Sequence, residues 1–404
     1  MTQRINNKAD AAIKLILFLI SPFIAFSYSL QNIKAKSSYI VFFLFCIFFG
    51  MAFTAQIGKS ADFLFDGAVY RLYFESMVNG TIDYFLLFDD YVQFDEGSKD
   101  FFIVSLCFLL SYITNNYHVM FMVFAAIFAY FMLKSFNFLT EEEKFDASLS
   151  SFLLAAIFIL SNGIFNINGA RFWIAAWIGV YCIFQIFRNN NRLYFLLACI
   201  IPFIHVAFYF LVILLLTAYF TKKFDKFWII MFVVSFFISN LSVGIIEYIS
   251  NYLPTFISRT ILQYTNESNL NRLEDSGFIQ TVFLFLERLF VNIIIVLFYM
   301  NRRIIKLQPK AFNLYSFLIV LMVMVNFTMP IPSVGNRFIK LSLPIIAYIW
   351  LLVFKGKKYN AILYMYPLVN LFSFYKMIVY YMAVTDLKFY LMNPFYLIHK
   401  YLLS

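Results

Sequence analysis

The sequence predicts an all-α polytopic membrane protein, a single transmembrane domain over residues 1–404 with about 11 to 13 helices, some of them short or re-entrant. Hydrophobic residues make up 63% of the chain and charged residues only 13%, too unbalanced for a domain whose surface faces water. Apolar stretches near the roughly 20 residues that cross a bilayer recur from end to end. The net charge of +10 sits in short clusters between those stretches. That is the bias toward positive cytoplasmic loops, not a basic face for nucleic acid. Lone strands cannot satisfy their backbone in lipid, so the spans are helices.

Taken in order, the spans are 12–30, 38–57, 117–134, 149–162, 171–187, 227–246, 278–300, 311–329, 338–354 and 360–384. The first follows Arg4, Lys8 and Lys14 as a signal peptide would, but no small-residue cleavage site follows Leu30, so a retained helix is expected. Lys34 and Lys36 after it compete with Arg4 and Lys8 before it, and the N-terminus is placed outside. Residues 100–113 are too few to cross comfortably and form either a re-entrant or an interfacial helix. Residues 193–220 are too many for one crossing and too few for two. Arg188 and Arg192 precede them and Lys222, Lys223 and Lys226 follow, so both ends belong on the same side. The prediction is a hairpin with its tip at 202–205, where Pro202 is tolerated.

Arg302, Arg303, Lys306 and Lys310 mark another inner loop, and Lys355, Lys357 and Lys358 a third. Alternation then puts 58–99, 166–170, 247–277 and 330–336 outside. The first of these is acidic, with Asp62, Asp66, Glu75, Asp83, Asp89, Asp90, Asp95 and Glu96. Cys46, Cys107, Cys182 and Cys199 lie in apolar runs without CxxC spacing, which marks them as packing residues. Hydropathy shows no internal repeat of the kind found in many transporters.

Charges within or at the ends of spans are the functional candidates, because the bilayer makes them costly. Arg171 and Arg337 each open a span at its outer end, where the positive-inside bias works against them. A guanidinium presents a planar fork of donors suited to phosphate. The alternative is an arginine that snorkels to lipid headgroups. Arg288, beside Glu287, lies deeper, as a third phosphate contact or half of an interhelical ion pair. His205, at the hairpin tip, is placed to take a proton from a hydroxyl or to hold a phosphate. Asp66, Tyr70 and Phe74 share one helical face, a carboxylate beside aromatic rings of the sort that binds sugars, or else an amphipathic interfacial helix.

These residues resemble, in order, the Wzy-type polysaccharide polymerases of the EpsG-like branch. The segment from Asp66 through Tyr70 to Phe74 is similar to the Asp, Tyr, Phe pattern after the second span of that family. Glu96 before Phe101 and Phe102 resembles the Glu that opens the next short helix, with Asn115 and Asn116 closing it. Gly169-Ala170-Arg171 with Ala175 is similar to its Gly-x-Arg-x-x-x-Ala element, and Phe203-Ile204-His205 to its Phe-His. Arg337 resembles its late span-opening arginine, although Leu341 stands where an aromatic is frequent.

The resemblance implies a C-type glycosyltransferase-like fold in the bacterial inner membrane, working at the periplasmic face. It implies transfer of a growing glycan from undecaprenyl diphosphate to another lipid-linked repeat unit. On that basis Arg171, Arg337 and Arg288 hold diphosphate, Tyr70 and Phe74 contact glycan, and His205, Asp66 or Glu96 is the base. No metal or cofactor is expected. Partners would be lipid-linked oligosaccharides and membrane lipids, with a chain-length regulator a further candidate. An O-antigen ligase-type enzyme and a lipid-linked glycan flippase remain the alternatives.

Overall fold

The computed structural model describes residues 8–54, 66–93, 101–253, 255–266, 270, 278–356, 359–376 and 386–403. Every regular element among them is helical. Those that build the bundle and its site are α1 (Lys8–Ile20), α2 (Pro22–Ser29), α3 (Lys36–Ala52), α4 (Asp66–Val78), α5 (Tyr84–Val92), α6 (Phe101–Ser111), α7 (Tyr117–Thr140), α8 (Leu149–Leu160), α9 (Ala170–Ile183), α10 (Tyr194–Ile200), α11 (Tyr209–Thr221), α12 (Asp225–Ile238), α13 (Ser242–Ser250) and α14 (Thr255–Thr265). After them come α15 (Phe278–Met300), α16 (Arg302–Lys306), α17 (Pro309–Phe327) and α18 (Pro332–Val353).

Among the described residues, five stretches are long and apolar enough to cross a membrane: Tyr117–Thr140, Leu149–Arg188, Phe278–Met300, Pro309–Phe327 and Val334–Val353. The second is a hairpin, because Phe158 of α8 lies 6.0 Å from Trp177 and 5.9 Å from Phe184 of the returning chain. The turn is tied by Trp177 Nε1 donating to the Asn162 carbonyl at 3.0 Å and by Asn162 Nδ2 donating to the Trp173 carbonyl at 3.1 Å. Between α3 and α7 the backbones meet at Gly50, where a Cβ would lie 2.4 Å from Ala125 Cβ and 2.5 Å from the Phe121 carbonyl oxygen. Without solvent to drive helices together in lipid, such small-residue contact lets close packing hold them.

The predicted hairpin at 193–220 is present. Phe195 of α10 packs 5.4 Å from Tyr219 of α11, and Arg192 lies over the same ring, so the two ends are neighbours. Residues 101–111 form the predicted short helix, about 16 Å long at 1.5 Å per residue.

Four expectations need correction. The span at 12–30 is two short helices, broken at Ser21. Ser21 has extended backbone, accepts from the Phe23 and Ile24 amides, and precedes Pro22, both standard helix-start chemistry. Lys14 of α1 donates to Ser38 Oγ at 2.8 Å, and Ser38 Oγ in turn donates to the Ser29 carbonyl at the end of α2. The chain therefore enters and returns on one side, the side of Lys34 and Lys36, and the N-terminal helix does not start at the opposite end. Lys8 therefore lies at the same end as Lys34 and Lys36, while Arg4 lies outside the described residues. The span at 227–246 also breaks, with α13 bent 98° from α12. The stretch from 360 is a set of short helices, Asn360–Tyr364, Tyr366–Val369 and Leu371–Lys376, with Pro367 near the first break; residues 377–385 lie outside the described residues. Finally, Cys199 is exposed rather than packed, whereas Cys46, Cys107 and Cys182 are buried thiols.

One end of the bundle gathers the basic loops. Buried Arg188 donates to Glu141 at 2.6 Å, to Glu142 at 2.7 Å and to Tyr348 at 2.6 Å, and Tyr348 donates to Glu142 at 2.6 Å. Lys310 reaches the same carboxylate, Lys355 pairs with Asp146 at 2.6 Å, and Lys306 with Asp225 at 3.0 Å. Burial alone would push the Glu142 carboxyl up. Hydrogen bonds from Tyr348 and Arg188 and the charges of Arg188 and Lys310 outweigh that and hold it below the ordinary 4.5. A carboxylate depressed on folding adds stability that is complete above its unfolded pKa and is lost as pH falls through the folded one. The midpoint of thermal unfolding should therefore drop as pH is lowered below about 4.5, and Glu142→Gln should flatten that acid limb. An unchanged acid limb in the variant would show that other carboxylates carry it.

Candidate functional site

At the end opposite the basic cluster, the start of α9 is the centre of a polar group. Residues 164–169 form a single 3₁₀ segment that turns the chain from α8 into α9 and delivers Arg171 to the first turn. Asn168 in this segment caps a different helix. Its Oδ1 accepts the Gly67 amide at 3.1 Å, satisfying one of the orphan N–H groups at the start of α4. A Cβ at Gly67 would lie 2.6 Å from that oxygen, so glycine permits the approach. The exposed Asp66 is thereby held against Gly169, its Oδ2 3.7 Å from where a Cβ there would sit. One turn on, Tyr70 accepts a hydrogen bond from Arg171 Nε at 3.0 Å, and the guanidinium lies over its ring.

The other side of α9 meets the hairpin tip. Phe172 lies 5.3 Å from the His205 ring and 5.7 Å from Phe338, and Arg337 stands over the Phe172 ring at 5.2 Å. His205 is buried at 6% exposure, and both Arg171 and Arg337 are near enough to act on it electrostatically. Its Nδ1 accepts the Ala207 amide at 3.2 Å, capping the turn into α11. A nitrogen that accepts carries a lone pair, so the proton of the neutral ring resides on Nε2, which is left as a donor. Gly335 sets the position of Arg337: a Cβ there would lie 2.8 Å from Met329 Cα, so only glycine lets α18 start this close to the end of α17.

The structure thus brings together Asp66, Tyr70, Arg171, His205 and Arg337. Phe74 is on the predicted face of α4 but has no exposed surface and packs in the core. Glu96 lies outside the described residues. Arg288 does not join the group: its guanidinium faces Phe236 of α12 at 6.0 Å. Nor does it pair with Glu287, which binds Lys340 of α18. Adjacent helix positions point about 100° apart, which separates the two. Lys340, three residues after Arg337 and on nearly the same face, is the site neighbour that the sequence reading passed over. Its signal was present, as a second basic residue within an apolar helix. Asn168 was also missed, because a side chain capping a helix about 100 residues away leaves no local pattern.

Among the described residues no three His, Cys, Asp or Glu side chains come together as a ligand set. What the group offers is cations, a donor and an exposed carboxylate at the end of a membrane bundle. Searches of curated proteins and of solved structures return no match. A family model does match, the EpsG family, over residues 62–394, which takes in every described residue of the group and leaves out the N-terminal helical pair. The chain is a member of the EpsG family.

Proposed function

We propose that the protein is a polysaccharide polymerase that transfers a growing glycan from a polyprenyl diphosphate to the sugar of another lipid-linked repeat unit. The observation that carries this reading is the gathering of two arginines around Phe172, the ring that packs on the His205 tip: Arg171 precedes it in α9 and Arg337 stands over it. Arg337 has no carboxylate partner among the described residues. Membership of the EpsG family supports a role in polysaccharide synthesis. On the positive-inside rule the site faces outward from the inner membrane, since the basic loops lie at the other end.

In the proposed reaction an acceptor hydroxyl attacks the anomeric carbon of the donor glycan. The new glycosidic bond forms as the bond from carbon to diphosphate oxygen breaks, and the hydroxyl proton passes to Asp66. The diphosphate departs onto Arg171 and Arg337, which stabilise charge that develops in the transition state. His205, with Nε2–H, donates to a diphosphate or sugar oxygen and is not the base. Tyr70 fixes the Arg171 guanidinium and so positions it. Arginines holding a diphosphate need no divalent ion for this role. Incubating the purified protein with lipid diphosphate repeat units, without divalent metal, should give a ladder of longer glycans. Transfer to lipid A core instead would identify a ligase, and glycolipid crossing a liposome bilayer without transfer would identify a flippase.

A further inference from the structure

Arg288 is the cation that the site does not use, and its surroundings are those of a lipid site. It stands in a groove of about 550 Å³ between α12 and α15, walled by Phe232, Phe236, Leu289, Ile293 and Val296. The neighbouring carboxylate, Glu287, is taken by Lys340, and Arg288 has no carboxylate partner among the described residues. Asn292, one turn away, donates to the Arg288 carbonyl at 2.9 Å and supplies no negative charge. A half-buried cation surrounded by hydrocarbon is costly until an anion meets it.

The depth of Arg288 says which anion is within reach. Asn292 and Asn326 exchange two side-chain hydrogen bonds, at 3.3 and 2.9 Å, and Asn326 is the last residue but one of α17. Arg288, one turn beyond Asn292, therefore stands near the level at which α17 ends, in the half of the bundle that holds Arg337. From there the groove descends past Leu289, Ile293 and Val296 toward the basic end. A charge at that level, with apolar walls running from it toward the basic end, fits a lipid of that leaflet with its phosphate drawn to the guanidinium and its chain along those walls.

We propose that the groove between α12 and α15 binds a phosphate-bearing membrane lipid, its phosphate on Arg288 and its chain against Leu289, Ile293 and Val296. This site is separate from the one built on Arg171, Arg337 and His205 and does not depend on the polymerase reading.

The test is thermal unfolding of the full chain in micelles titrated with phosphatidylglycerol, with diacylglycerol of the same chains, or with inorganic phosphate. Only phosphatidylglycerol should raise the midpoint. Arg288→Gln should weaken the apparent affinity by about tenfold or more. Ile293→Trp, which fills the groove and keeps the charge, should weaken it likewise, while Arg337→Gln should leave it intact. An equal response in Arg288→Gln and wild type overturns the proposal. So does a response to diacylglycerol or to inorganic phosphate alone, or loss of the response in Arg337→Gln. If Arg288→Gln does not fold, Ile293→Trp decides alone.

Discussion

Arg337→Gln in the full-length protein should lower polymer synthesis by roughly a hundred- to a thousand-fold, the effect of removing one donor aimed at charge developing in a transition state. Arg171→Gln should do the same. The loss should appear mainly in kcat, because a diphosphate that is leaving carries more charge than one still bonded to sugar. Arg337→Lys should recover part of the rate, since an ammonium supplies charge without the planar fork. Tyr70→Phe removes the acceptor that orients Arg171 at 3.0 Å and should cost less than Arg171→Gln itself. Expression and unfolding midpoint serve as controls. Polymer of normal amount and length from Arg337→Gln at equal expression would remove that residue from the site.

Asp66→Asn is the other large effect, about a hundred- to ten-thousand-fold in rate if the carboxylate takes the acceptor proton. The change keeps the shape of the side chain, and the Asn168 cap on Gly67 does not involve it, so α4 should fold as before. His205→Gln separates the two candidates for proton acceptor. With Nδ1 occupied by the Ala207 amide, the proposed donor role of His205 predicts that its loss weakens donor-substrate binding more than it slows turnover. A large kcat loss in His205→Gln together with near-normal turnover in Asp66→Asn would reverse the assignment.

Much of this was legible in the sequence. The hairpin at 193–220 followed from charges at both ends and a length that fits nothing else, and Arg171 and Arg337 stood out because topology works against them. Local chemistry that was present but outweighed explains the N-terminal error. Ser21-Pro22 is a helix-start signal, yet the apolar run around it has the length of one span, and length prevailed.

What the sequence determined by itself is what depends on composition and order along the chain: an all-helical membrane bundle, the grouping of its basic loops at one end, and the two arginines at the other. Partner choice needed the tertiary structure, because it depends on where helices distant in sequence cross. Glu287 has Arg288 as its neighbour in the chain and Lys340 as its partner in space. Phe74 shares a face with Asp66 and is buried by α4 packing inward, while Asp66 stays exposed at the start of that helix. Rotation about each helix axis and the close approaches at Gly50, Gly67 and Gly335 decide such pairings, and neither is set by any one segment alone.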